Sequence, residues 1–218
     1  MGPKGAMRAR ACQRAAKMGN RDDYSEVRGN RVLLRDARPE DVEARLRWAT
    51  VEVAWQDWDA PWEGKSVTSP ERVQVARRAI SEDVRKPVPE PRNQLWIERI
   101  GGPLLGWVNS YHHDESDRSI WVGVNVCESA FWGQGLGTEA LRLWIGHLFE
   151  HMDLRRIRVG TWSGNRRMVR CAEKCGFVLV ERRRGVREVR GKQYDALELE
   201  LTRREWEEQY VGGQADQR

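Results

Sequence analysis

The chain has 218 residues, which bounds it to one domain of ordinary size with tails, large enough to bury a core without disulfides or metals. Its formal net charge of +5 suits an anionic ligand, but acids and bases are mixed and no arginine block beyond Arg182–Arg184 interleaves with aromatics, which argues against a nucleic-acid module. No apolar run nears the roughly 20 residues of a membrane span, the basic start lacks the apolar stretch of a secretory signal, and Cys12, Cys127, Cys171 and Cys175 form no CxxC pair, so a cytoplasmic protein with reduced, packed thiols is expected.

Residues 1–26 are rich in Arg, Gly and Ala without hydrophobic periodicity and read as a disordered basic tail; the domain is expected over 27–210, with 211–218 a second flexible tail. RVLLR (31–35) reads as the first strand. Pro39, behind Asp36 and ahead of Glu40 and Asp41, opens a helix striped by Val42, Leu46 and Ala49. Pro70 opens a second helix with Val73, Ala76 and Ile80 on one face, ended by the prolines of KPVPEP (86–91). NQLWIERI (93–100), a Gly101-Gly102 turn and LLGWVNSY (104–111) make a hairpin, and HDESD (113–117) turns the chain into SIWVGVNV (119–126). A glycine stretch and a helix reach to about His151, followed by a strand in RRIRVGTW (155–162) and a helix in NRRMVRCAEKCGF (165–177) that stops at Gly176. VLVERR (178–183) and YDALELELT (194–202) are the last strands. Interleaved strands and helices give an α/β class with a mixed sheet.

The stretch WGQGLGTEALRLWIGHLF (132–149) carries the chemistry. Glycines let backbone N–H groups approach a ligand closely, and the first N–H groups of a helix lack internal partners and sit at its positive end. Gly133, Gln134, Gly135, Leu136, Gly137 and Thr138 therefore offer donors to an anion, most often a phosphate or pyrophosphate. A P-loop is excluded because Thr-Glu follows Gly137 where Lys-Ser/Thr is needed, and the spacing G-x-G-x-G misses the dinucleotide fingerprint.

WGQGLGTEAL resembles the acetyl-coenzyme A pyrophosphate loop of the GNAT superfamily of N-acetyltransferases, whose pattern Arg/Gln-x-x-Gly-x-Gly/Ala is matched over Trp132–Gly137 at Gly135 and Gly137, with the aromatic opening of one branch in place of the Arg-led one. NRRMVRCAEKCGF is similar to that superfamily's later coenzyme-contacting helix, and YDALELELTRREW to the closing strand of the branch acting on ribosomal-protein N-termini and polyamines. The resemblance spans about residues 28–208. It implies a splayed central mixed sheet flanked by helices, with the coenzyme's arm between strands 119–126 and 156–162, and transfer of acetyl from acetyl-CoA to a primary amine. It also implies a homodimer as a common state of the branch. A backbone N–H near Asn125 and Val126 would stabilise the developing oxyanion, with Val124, Val126, Gln134, Gly135, Leu136, Gly137, Thr138 and Asn165 on the coenzyme and Arg167 and Lys174 among the candidates for its phosphates. Asn165 serves equally as a helix N-cap. Where relatives carry a Tyr in the later helix this chain has Ala172, and where they carry a Glu in the fourth strand it has Trp121. His112 and His113 are then the first places to seek a base, and a non-catalytic acyl-CoA-binding regulator of the same fold is the alternative.

TVEVAWQDWDAPWEG (50–64) sets Trp55, Trp58 and Trp62 among Glu52, Asp57, Asp59 and Glu63, a mixture suited to a protonated amine through ion pairing and cation–π attraction. Trp55, Asp57, Trp58, Asp59 and Trp62 are the candidate acceptor residues. HLFEH (147–151) matches a zinc-protease pattern, but His147 and His151 suit a helix C-terminus and no metal is expected.

Overall fold

The structure, a computed structural model, describes residues 26–62 and 69–211; the expected tails (save Glu26 and Val211), Cys12 and Glu63 lie outside the described residues. Among the described residues eight strands run in chain order: β1 (Glu26–Arg28), β2 (Val32–Arg35), β3 (Gln94–Arg99), β4 (Leu104–Asp114), β5 (Ser119–Val126), β6 (Arg156–Trp162), β7 (Val178–Val189) and β8 (Lys192–Thr202). They form one sheet in the order β1-β2-β3-β4-β5-β6-β8-β7. Every neighbouring pair is antiparallel except β5 and β6, whose parallel pairing needs a crossover. That crossover is α3 (Leu136–His151); the other helices are α1 (Val42–Thr50), α2 (Pro70–Asp83), α4 (Arg166–Lys174) and α5 (Arg203–Trp206). No helix among the described residues is long and apolar enough to cross a membrane.

The two faces of the sheet bury different things. On one, α3 sets Leu136, Ala140, Leu141, Trp144, Ile145, Leu148 and Phe149 against Val32, Leu34, Leu105, Val108, Val122 and Val159, with Ala172 of α4 beside them. These positions recur at helical spacing along α3 and at every second residue of β2, while on β4 a register shift against β3 puts Leu105 and Val108 three apart on the same layer. On the other face, Trp48 of α1 packs with Trp96, Leu104 and Cys127, flanked by Trp55 and Trp107. The entry to α1 is pinned by a buried Arg35, which donates to both Asp41 oxygens at 2.8 Å and to Glu98 at 2.5 Å.

β5 and β6 pair only over Ser119–Trp121 and Arg156–Arg158 and then part, although β5 continues to Val126 and β6 to Trp162. Each strand stays fully paired on its other side, to β4 and β8 respectively. The opening therefore lies at the centre of the sheet, at the carboxyl ends of its two parallel strands, which is where open α/β sheets take ligands. At the point of divergence a Cβ on Gly160 would come within 3.0 Å of the Trp121 ring, so the glycine makes room for the indole.

The last hairpin is longer than the sequence suggests. β7 runs to Val189 and turns at Arg190-Gly191, both at positive φ, the geometry of tight two-residue hairpin turns. β7 is an edge strand exposed along almost its whole length, so RRRGVREV carries no burial alternation to betray it.

Candidate active site

The α3 mouth sits at the open end of the gap. Gly133 and Gly135 both adopt left-handed backbone, at φ 77° and 81°, and Gly135 is the N-cap of α3. Gly137 has a different reason: a Cβ there would stand 3.2 Å from Val126 Cγ2, so its absence lets the first turn of α3 rest on β5. The amides of Gly133 through Thr138 have no backbone partner among the described residues, and the first closing bond is Glu139 N to the Gly135 carbonyl at 3.1 Å. Leu136 is buried, so it offers its amide alone. The Thr138 hydroxyl contacts Cys171 Sγ at 3.5 Å.

Arg31, which sequence reasoning passed over, braces this mouth. Its Nη1 donates to the Gln134 carbonyl at 2.8 Å and its Nε to Glu139 at 2.9 Å. Burial works against the charge on Glu139, yet the Arg31 amide and guanidinium and the Val32 amide hold its carboxyl below the usual range. An acid in the first helical turn thus remains ionised but neutralised by its partner. The only sequence hint is a lone arginine at the head of β2, 108 positions from Glu139.

Alternation along β5 decides which amides enter the gap. Cys127 N donates to the Leu105 carbonyl at 2.7 Å, and Trp107 stands opposite Asn125 in the same register, so odd-numbered β5 residues bond to β4. Val124 and Val126 therefore direct their backbone groups toward the opening, and the Trp132 indole donates to the Val126 carbonyl at 2.6 Å. The expectation of an oxyanion donor is corrected to Val126 alone, because the Asn125 amide faces the β4 ladder.

His112 and His113 are also displaced. They are exposed, at the closed end of the ladder; His112 lies six residues along β4 from Gly106, the partner of Val126, or roughly 20 Å. Lys174 stands at the far end of α4 from Asn165, its carbonyl taken by Arg142 at 2.6 Å. Ala172 is fully buried in the core. His147 stacks on Trp144 and lies 4.3 Å from the His151 ring, whose Nδ1 donates to the His147 carbonyl at 2.8 Å.

The segment 54–62 crosses the gap's open end and is fastened on the far side. The Trp58 carbonyl accepts from Trp162 Nε1 at 3.0 Å and from Asn165 Nδ2 at 2.9 Å. Asn165 Oδ1 meanwhile accepts from Met168 N at 3.0 Å, so this residue both caps α4 and anchors the strap. Arg167 lies 4.5 Å from the Trp58 ring and 4.1 Å from that of Trp132, and its N–H groups have no acceptor among the described residues. Arg187 covers Trp62 at 4.7 Å and Arg190 pairs with Asp57. The chain's own arginines thus occupy the Trp58 and Trp62 faces and the Asp57 carboxylate that the sequence offered to an external cation.

Asp59 is differently placed. Burial pushes the Cys127 thiol far up, and the carboxylates of Glu128, Asp59 and Glu52 add to the shift. Burial and then Asp59 also raise the Tyr111 phenol. Both groups border the β4–β5 ladder, Tyr111 opposite Trp121 and Cys127 bonded to the Leu105 carbonyl. There Asn109 leans over Gly123, its Oδ1 2.7 Å from where a Cβ would be, and Asn125 follows. Asn109 and Asn125 thus set polar residues at central-strand positions beside the gap.

Residues 31–178 match the acetyltransferase (GNAT) domain family. The putative ribosomal N-acetyltransferase YdaF of Bacillus subtilis (strain 168) is 29% identical over 106 residues, a segment covering 49% of this chain and 57% of that protein. A GCN5-related N-acetyltransferase from Brucella melitensis superposes with a TM-score of 0.66 at 19% identity, covering 88% of this chain and 85% of that one. The ribosomal L7/L12 α-N-protein acetyltransferase RimL, solved with coenzyme A, superposes at 0.62 with 16% identity, covering 82% and 98%.

Proposed function

The chain belongs to the GNAT acetyltransferase family, and from that premise we propose that it transfers acetyl from acetyl-CoA directly to a primary amine of a small cationic molecule or a peptide N-terminus. When bound, acetyl-CoA supplies an activated acetyl thioester. The observation that carries the reading is the row of unpaired amides from Gly133 to Thr138 at the positive end of α3, facing the β5–β6 opening. A diphosphate fits such a row, because every oxygen it brings replaces a missing acceptor. Arg167, over two indole rings and without an acceptor among the described residues, suits a further phosphate.

The remaining work falls to named groups. Val126 directs its amide into the gap, where it stabilises an acyl oxygen that gains charge. Asp59, whose charge bears on Cys127 and Tyr111, attracts the protonated amine and takes up its proton, directly or through water. The strap 54–62 closes the acceptor side through Asn165 and Trp162.

Calorimetry with acetyl-CoA followed by thiol release across a panel of amines tests the proposal. Coenzyme binding with amine-dependent thiol release supports it; binding with no release from any amine supports a non-catalytic acyl-CoA-binding regulator instead, and no binding defeats both.

A further inference from the structure

Val126 is held from both sides of β5. Behind it, β4 carries one extra residue at Leu105, where its register against β3 shifts, and the Leu105 carbonyl accepts from Cys127 N at 2.7 Å. Gly106, the β4 partner of Val126, lets β5 come closer than a side chain would permit. A Cβ there would stand 1.8 Å from the Asn125 carbonyl oxygen and 3.2 Å from Val126 Cα. The Asn125 carbonyl therefore lies against β4. In a planar trans peptide the following N–H points the opposite way, so this contact turns the Val126 amide into the gap.

On the gap side stands Trp132. A strand residue sends its own N–H and C=O in the same direction, so the Val126 carbonyl enters the gap with its amide. There the Trp132 indole N–H donates to it at 2.6 Å, reaching back six residues along the chain. Arg167 lies 4.1 Å over the same indole, and Trp132 N closes its turn on the Ser129 carbonyl at 3.1 Å.

The pairing matters because of what the carbonyl would otherwise do. A bare carbonyl beside the amide presents its negative end to an acyl oxygen that gains charge, and so opposes the donor next to it. The indole N–H compensates that dipole and fixes the orientation of the residue that carries the donor.

We propose that Trp132 is a positioning residue for acyl transfer: its indole takes the Val126 carbonyl, and with Gly106 behind the strand it keeps the Val126 amide aimed at the acyl oxygen. The inference rests on the acetyl-transfer reading and gives a role to a side chain which that reading leaves unassigned.

Trp132→Phe keeps an aromatic face for Arg167 and removes the indole N–H. Acetyl-CoA affinity by calorimetry and KM for the amine should stay within about twofold. The kcat for amine-dependent thiol release should fall about tenfold, less than the roughly 10²–10³ that follows outright loss of an oxyanion donor. An unchanged kcat, or a loss carried equally by acetyl-CoA affinity, overturns the role. Hydrogen exchange on the wild type gives a second test that needs no variant. The Trp132 indole proton should be protected in the free chain and stay protected in the acetyl-CoA complex. Its release on binding would make the indole a gate that the coenzyme displaces, which contradicts positioning. Failure of the underlying reading looks different: a wild type that binds acetyl-CoA yet releases no thiol with any amine removes acetyl transfer itself, and this role with it.

Discussion

Asn165 Nδ2 donates to the Trp58 carbonyl at 2.9 Å, a bond between residues 107 positions apart that fastens the acceptor-side strap to the head of α4. The same side chain caps that helix through its oxygen. Its two roles use different atoms and can be separated. Asn165→Asp keeps the capping oxygen and loses the donor, so the thermal midpoint should change little while KM for the amine rises about tenfold through the loosened strap. Asn165→Ala loses both and should also cost about 1 kcal/mol of stability by denaturant unfolding. Identical KM values for wild type and Asn165→Asp would remove the strap from the account.

Arg31 neutralises the one acid at the α3 mouth. Without its guanidinium, the Glu139 carboxylate keeps only the backbone amides of Arg31 and Val32 and loses its counter-charge beside a site proposed to hold a diphosphate. Arg31→Ala should weaken acetyl-CoA about tenfold, and the double variant with Glu139→Gln should recover most of that loss. Calorimetry on the three proteins checks it; no recovery in the double variant would mean that Arg31 acts otherwise.

Asp59 should matter to the amine and not to the coenzyme. Asp59→Asn should lower kcat/KM for a cationic amine by about 10²-fold while leaving acetyl-CoA affinity within about twofold. A loss shared equally by both substrates would point to misfolding of the strap.

His147 makes stability depend on acid. Burial, followed by repulsion from His151 and Arg92, lowers its pKa from 6.5 to about 4. The unfolded chain therefore binds a proton that the native state refuses, and the stabilisation, full above pH 6.5, falls away between pH 6.5 and about 4. The loss is on the order of 2–3 kcal/mol. Urea unfolding at a series of pH values should show this slope, and His147→Gln should flatten it.

The glycine loop, α3 and the hairpins were legible because each is written locally, in alternation, helical spacing or backbone freedom. β5 was found with its observed bounds, since Ser119–Val126 combines β-branched content with flanking turns. β7 was seen only as far as Arg183, because an exposed edge strand needs no apolar pattern. The catalytic surroundings were less legible for a topological reason. The arginines facing Trp58, Trp62 and Asp57 come from residues 167, 187 and 190, and nothing local marks those partnerships. His112 and His113 attracted notice by chemistry and lost it by register, and Lys174 by the length of α4. Trp96 and Trp107 read as ordinary strand residues until the sheet brought them to Trp48.

The most direct measurement is calorimetric titration of acetyl-CoA into the wild type, Gly135→Ala and Gly135→Asp. At φ 81° any side chain strains the N-cap and its Cβ stands 3.3 Å from Arg31 Nη2, so Gly135→Ala carries those two costs, while Gly135→Asp also sets a carboxylate at the row of amides. The account predicts modest weakening in the first and a loss on the order of 100-fold in the second. Unchanged affinity in Gly135→Asp would contradict the placement of the diphosphate at the head of α3.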